Sequence, residues 1–168
     1  MLKTNNLMVN TDFIDMQIID ALQSDGRMAV TELSKRVNLS ATPCSLRIKR
    51  LEQSGIIQGY HAHILPKAVK MALLVFVSVK LKSTDEATLK SFNKAVKPVR
   101  QILECHMTGG GFDYLLKIRV RDMVEYRQIL GGVIGELPMV EGTHSYFVME
   151  EVKETTLLPL PLPKENLI

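Results

Sequence analysis

Hydrophobic positions change their rhythm once along this chain, and the change divides it in two. Between Asp12 and Gly55, apolar residues recur with the period of helices. Ile14, Ile18, Ala21 and Leu22 stand at i, i+4, i+7 and i+8. They form one face of a first helix, whose N-terminus is favoured by the carboxylates of Asp12 and Asp15 and which Asp25-Gly26 stops. Val30, Leu33 and Val37 supply the buried face of a short second helix, and Asn38 is a left-handed cap after it. Following a turn at Leu39-Ser40, Ser40 is expected to cap a third helix. Its first turn accommodates Pro43, because those N–H groups lack intrahelical partners anyway. Cys44, Ile48 and Leu51 form its core stripe, and Gly55 ends it. The alternating segment Ile56 to Leu65 is expected as a β-wing or exit strand.

From about Leu73 the period becomes two. Val75, Val77, Val79 and Leu81 alternate with Phe76, Ser78, Lys80 and Lys82, a strand pattern. Asp85 to Val96 reads as a helix with Leu89, Phe92 and Val96 on one side, and Val99 to Thr108 as a second strand. Gly109-Gly110-Gly111 signals a turn, so Phe112 to Arg121 is expected to pair back as a third strand. Asp122 with Glu125 opens another helix in the manner of a capping box. That helix is expected to reach about Glu136, with Tyr126, Leu130, Val133 and Leu137 inward, and Val140 to Val152 is the last strand. The order β-α-β-β-α-β is the split βαβ, ferredoxin-like pattern, so the fold class is α+β. Gly131, Gly132 and Gly135 weaken the last helix by about 1 kcal/mol each relative to Ala unless close packing uses them.

These boundaries divide the chain into a lead-in (1–11), a trihelical unit (12–60), a linker (61–73), an α+β unit (74–153) and an extended, Pro-alternating tail (154–168). At 168 residues, two small domains with real cores are affordable. No apolar run is long enough for a signal peptide or a membrane span, and Cys44 and Cys105 lie far apart, which suits a reducing cytoplasm.

Charge adds something only through its position. Lys and Arg number 21 against 18 Asp and Glu, a mild net +3. Within the trihelical unit the balance is even, but four of the six acids lie on or just after helix 1, and five of the six bases lie on helices 2 and 3. If Cys44, Ile48 and Leu51 face the core, then Thr42, Leu46, Lys49 and Gln53 point away, flanked by Ser45 and Arg50. A basic, hydroxyl-bearing outer face suits the major groove of double-stranded DNA. Lys49, Arg50 and Lys35 or Arg36 would then hold phosphates, while Thr42, Ser45 and Leu46 meet base edges. The same pattern also describes a helical interaction module with solvated charges.

Specific runs carry a family likeness. Asp25-Gly26-Arg27, Glu32-Leu33-Ser34-Lys35-Arg36-Val37, Leu39-Ser40-x-x-Pro43-Cys44, Arg47-Ile48-Lys49-Arg50-Leu51-Glu52 and Gly55-Ile56-Ile57-Gln58-Gly59-Tyr60 resemble the winged helix-turn-helix of the leucine-responsive regulatory protein/AsnC family. Glu104-Cys105-His106, Gly110-x-Phe112-Asp113-Tyr114-Leu115-Leu116-Lys117 and Tyr146-x-Val148-Met149-Glu150-Glu151-Val152 resemble its second domain, the RAM or AsnC-type effector domain. The likeness runs from about residue 12 to 153 and is nearest the leucine-responsive branch.

That resemblance implies a cytoplasmic, nucleoid-associated transcription regulator. It implies self-association as dimers that assemble further, commonly as an octamer of four dimers, and no membrane partner. It also implies a small-molecule effector, an amino acid, bound between subunits near the turn joining strands two and three. Carried onto this chain, the effector residues are Met107, Thr108, Gly109, Gly110, Gly111, Asp113 and Tyr114, with Met123, Tyr146 and Val148 nearby. Elementary chemistry agrees in part: N–H groups of a glycine turn suit a carboxylate, Asp113 an ammonium, and Met107, Met123 and Val148 an adaptable apolar wall. A plain tight hairpin explains the same turn residues. The leucine-responsive pattern has Ser-Gly-Asp where this chain has Gly109-Gly110-Gly111, which bears on effector choice. Asn38 replaces a usual Gly, and Ala41 stands where Pro is common.

Other chemistry finds less support. His61 and His63 with His106, His144 and the two cysteines match no zinc spacing. No nucleophile–base set emerges and the triple glycine lacks the Lys-Ser/Thr of a phosphate loop, so neither an enzyme nor a cofactor is expected. An architectural DNA compactor without a ligand is the alternative within DNA binding.

Overall fold

The computed structural model describes residues 10–161 and divides into two compact units, one reaching His63 and resuming at Glu154, the other Ile64–Lys153. The first holds three helices, α1 (Phe13–Ser24), α2 (Val30–Arg36) and α3 (Ala41–Gln53). α1 starts with a complete capping box. The Asp15 N–H donates to the Asp12 carboxylate at 2.8 Å and the Asp12 N–H to the Asp15 carboxylate at 2.9 Å. α2 ends in a Schellman motif: Leu39 N–H donates to Ser34 O at 2.8 Å and Asn38 N–H to Lys35 O at 3.3 Å, with Asn38 at φ 53°. This sharp stop makes the turn into α3 possible. Ile18, Ala21, Leu22, Leu33, Val37, Cys44 and Leu51 are buried together, with Ile14 and Ile48 packed against them.

Three expectations fail here. Val30 is exposed, because it sits in the first turn of α2 rather than over the core. Ser40 occupies the N-cap of α3, but its hydroxyl makes no capping bond. Residues 56–65 form no strand, since a single extended segment has no partner to pair with. The segment is fastened by Tyr60, whose hydroxyl donates to Glu52 Oε1 at 3.0 Å. Burial and the Glu52 carboxylate push the phenol up to about 12.

The second unit is a four-stranded antiparallel sheet, β1 (Leu73–Leu81), β2 (Ile102–Met107), β3 (Tyr114–Val120) and β4 (Val140–Phe147), in the order β2-β3-β1-β4. Between strands run α4 (Glu86–Val96) and α5 (Met123–Ile129), so the β-α-β-β-α-β order is present. Val75, Val77, Val79 and Leu81 of β1 and Tyr114, Leu116 and Ile118 of β3 are buried with Phe92 and Val96 of α4 and Tyr126 and Ile129 of α5. The period-two residues are inward because both helices cover the same sheet face. On the other face lie Phe76, Ser78 and Lys80, with Leu115, Lys117, His144 and Tyr146 beside them in register.

The strands are shorter than expected at their outer ends. Val148 N–H closes the β1–β4 ladder on Leu74 O, after which Glu151 is held by the Arg119 guanidinium at 2.6 Å and 3.0 Å instead of continuing the strand. The α5 start is half a capping box. Asp122 accepts Glu125 N–H at 2.9 Å, but Glu125 reaches one residue further back, to Arg121 N–H at 2.8 Å. Beyond α5 the chain widens into a π-helical turn, Leu130–Ile134, closed by Gly135 N–H to Leu130 O at 2.9 Å. The extra residue rotates the inner face, so Ile129 and Ile134 are buried while Leu130 and Val133 only lean on the core. A Cβ at position 135 would meet Gly131 O at 3.2 Å and Leu130 O at 3.3 Å, so the glycine serves this close approach.

Residues 154–161 carry no helix or strand. Leu158 nonetheless exchanges two hydrogen bonds with the Gln23 amide of α1, both at 2.9 Å, so the expected unpacked tail is fastened at that point. The rest of the expected tail and most of the lead-in lie outside the described residues.

Candidate functional site

On the three-helix unit, Lys35 and Arg36 occupy the last turn of α2, and Ser40, Thr42, Ser45, Leu46, Lys49 and Arg50 are all exposed on or before α3, with Pro43 half-buried. Leu46 is 63% exposed, an apolar side chain left open to solvent among the described residues. Lys35, Arg36 and Lys49 make no ion pair among the described residues. Arg50 differs: its guanidinium donates to Asp15, and that of Arg47 donates to Asp12 at 2.6 Å and Asp15 at 2.8 Å. Arg50 is therefore not the free phosphate ligand its position suggested. Asp15 itself is fully buried and belongs to helix 1, so its pairing with bases some thirty residues on was not visible from spacing. The Asp15 N–H and the Arg47 guanidinium hold the Asp12 carboxyl below its ordinary range.

The glycine turn is closed from both sides. Thr108 N–H donates to Asp113 O at 2.9 Å, the Thr108 hydroxyl to Phe112 O at 3.1 Å, and Asp113 N–H to Val79 O at 2.9 Å. Gly109, Gly110 and Gly111 are exposed, with Gly110 at φ 134°. The Asp113 carboxylate accepts Leu81 N–H at 2.8 Å and the Lys80 ammonium at 3.2 Å, which lowers its pKa. Tyr114 points into the core, 1% exposed, its ring tilted against Phe92 at 4.4 Å. Its ring is thus part of the core and not of the turn surface.

The remaining expected residues stand elsewhere. Met107 is exposed at the turn end of β2. Met123 follows the far end of β3, Tyr146 lies opposite Phe76, and Val148 bonds Leu74. At about 3.3 Å per strand residue, Tyr146 and Val148 are removed from Asp113 by roughly 13 and 20 Å along the sheet, and Met123 lies beyond the end of β3. One chain does not bring the two groups together. Lys80 was not foreseen as a site residue, although a Lys inside a mostly apolar strand was a visible signal.

A winged helix-turn-helix DNA-binding domain family matches residues 12–58, and the Lrp/AsnC ligand binding domain family matches residues 74–158. The chain belongs to the Lrp/AsnC family of transcription regulators. It is 49% identical over 147 residues to the leucine-responsive regulatory protein of Escherichia coli strain K12, covering 88% of this chain and 90% of that protein. It is 46% identical over 153 residues to the proline dehydrogenase transcriptional activator of Rhizobium radiobacter, covering 91% of this chain and 96% of that one. Among solved structures, a Neisseria meningitidis transcriptional regulator in complex with L-Met superposes with TM-score 0.85 at 34% identity, covering 90% of this chain and 98% of that one. An AsnC family regulator from Agrobacterium tumefaciens gives 0.84 at 35% identity, covering 89% and 97%. This Lrp/AsnC regulator is therefore a DNA-binding transcription regulator with a ligand-binding domain, and not an enzyme. Among the described residues, no helix is long and apolar enough to cross a membrane, and no group of three or more His, Cys, Asp or Glu could hold a metal.

Proposed function

We propose that this regulator binds specific DNA sites through α3, and that a small amino acid bound between subunits alters its assembly and its grip on DNA. Thr42, Ser45 and Leu46 meet base edges; Lys35, Arg36 and Lys49 hold phosphates; Ser40 and Pro43 set the approach of the α3 N-terminus. A branched-chain amino acid or methionine is the effector, in line with the leucine-responsive name of one relative and the L-Met complex of another.

The observation that carries the intersubunit reading is the separation of the two residue groups along one sheet. The turn group, Met107 to Asp113, and the group of Met123, Tyr146 and Val148 become one pocket only when different chains contribute them. The sheet face bearing Phe76, Leu115 and Tyr146 supports self-association, because α4 and α5 both pack against the opposite face and Tyr146 is 54% exposed. Dimers assembling to an octamer, in a cytoplasmic, nucleoid-associated regulator, complete the proposal.

The test is a thermal-shift and light-scattering screen of the full chain against the twenty amino acids, with and without duplex DNA. Leucine, isoleucine, valine or methionine should raise the melting temperature and change the oligomer size. No response to any amino acid would refute the sensor and leave an architectural DNA-binding protein.

A further inference from the structure

The polarity of the glycine turn is opposite to the one its sequence suggests. Asp113 was the natural partner for an effector's ammonium, yet both of its carboxylate oxygens are committed. Oδ2 accepts the Leu81 N–H at 2.8 Å and Oδ1 the Lys80 ammonium at 3.2 Å, and the side chain is 12% exposed. Its backbone is committed as well, through Val79 O and Thr108 N–H. Asp113 thus staples the end of β1 to the turn. An incoming ammonium would meet a carboxylate whose charge is already shared with Lys80 and whose side chain is largely enclosed.

Lys80 has the reverse character. Its side chain is 48% exposed, and Asp113 uses one of its three N–H bonds. Beside it, Gly109, Gly110 and Gly111 are exposed, their N–H groups make no backbone hydrogen bond among the described residues, and a Cβ on any of them would meet nothing within 4 Å. The turn therefore presents unpaired donors and a cation in open space. Such a set takes an anion.

We infer that Lys80 is the specificity-determining side chain of this turn, receiving the effector's carboxylate together with the glycine N–H groups, while Asp113 only positions Lys80. This rests on the proposed effector site and fixes the ligand's orientation in it. The ammonium and side chain then point away from the turn, toward groups supplied by another chain.

Calorimetric titration of the full chain with L-leucine and L-methionine, and with the methionine analogues lacking either the amino group or the carboxylate charge (4-(methylthio)butanoate and methionine amide), tests this. Lys80→Met should weaken binding of the responding amino acid about tenfold or more, the loss of one charge-assisted contact. Lys80→Arg should retain binding within about threefold, whereas Asp113→Asn, which keeps an oxygen for Leu81 N–H but turns its NH2 toward the Lys80 ammonium, should weaken binding, though less than Lys80→Met does. The butanoate should compete for the site better than the amide. The opposite pattern, with Asp113→Asn abolishing binding and Lys80→Met leaving it unchanged or tighter, would overturn the inference while leaving the sensor intact. Failure of every one of the twenty amino acids to bind the unsubstituted chain would remove the sensor and this inference together.

Discussion

Asp15 is the residue whose loss should reach furthest in the DNA-binding unit. Its carboxylate is fully buried and accepts the Asp12 N–H at 2.9 Å, the Arg47 guanidinium at 2.8 Å and the Arg50 guanidinium. It therefore closes the α1 cap and ties α1 to α3 at once. A hydrogen bond to a charged group contributes about 1.5–3 kcal/mol, so three would sum to about 4.5–9 kcal/mol, comparable with the whole stability of a small domain. Two effects reduce that figure. The carboxylate has been desolvated at a cost of several kcal/mol, and the side chains of Arg47 and Arg50, 27% and 48% exposed, regain water when released. A net loss of about 2–4 kcal/mol for Asp15→Ala remains, equivalent to roughly 10–20 °C in the melting temperature of a small domain. Circular dichroism melts of the full chain at neutral pH would measure it, with Arg50→Ala and the double variant completing the cycle. The double variant should lose less than the sum of the single losses. Asp15→Asn should also release Arg50 toward phosphate and steepen the salt dependence of DNA binding by about one counterion. A melting temperature within about 2 °C of the unsubstituted chain, or additive losses, would refute the reasoning.

Lys49→Ala should weaken DNA binding and lower the slope of log K against log salt by about 0.9, whereas Arg50→Ala should change it less because Asp15 already shares that cation; filter binding across a salt series reads both. Acid should destabilise the protein late. Asp12, Asp113, Glu125 and Glu151 titrate below their ordinary values of 3.8 and 4.5, held down chiefly by N–H of Asp15, Leu81 and Arg121 and by the Arg119 guanidinium respectively. With folded values depressed, their contribution is complete above the ordinary values and is lost as pH falls through the folded ones. Calorimetric melting temperatures should therefore be set by other groups above about pH 5 and should fall below it as these carboxylates protonate. Gly135→Ala should lose about 1 kcal/mol despite the higher helix propensity of Ala, because its Cβ would press on Gly131 O at 3.2 Å; Gly132→Ala, with nothing within 4 Å, should be neutral or gain up to about 1 kcal/mol. Denaturant midpoints separate the two.

What the chain's sequence determined by itself is what depends on near neighbours. The 3.6-residue stripe of α1, the Asp12–Asp15 cap and the left-handed Asn38 each involve residues within a turn or two of one another, so their spacing is their geometry. The alternation in β1 likewise determines which residues face the helices, since a strand's sides differ by one residue. The outward set on α3 was legible for the same reason. Only the tertiary structure decided the rest. Arg47 and Arg50 look like free cations until folding brings α1 alongside and places Asp15 against them. Asp113 looks like an open acid until β1 and β3 pair and deliver Leu81 N–H and Lys80 to it. The π-helical turn redirects an inner face that a regular helix would have set differently. Ion pairs and ladder contacts join residues remote in sequence, and their partners are chosen by packing of the whole unit. A carboxylate's type is therefore readable from the sequence, whereas its availability to a ligand is a property of the fold.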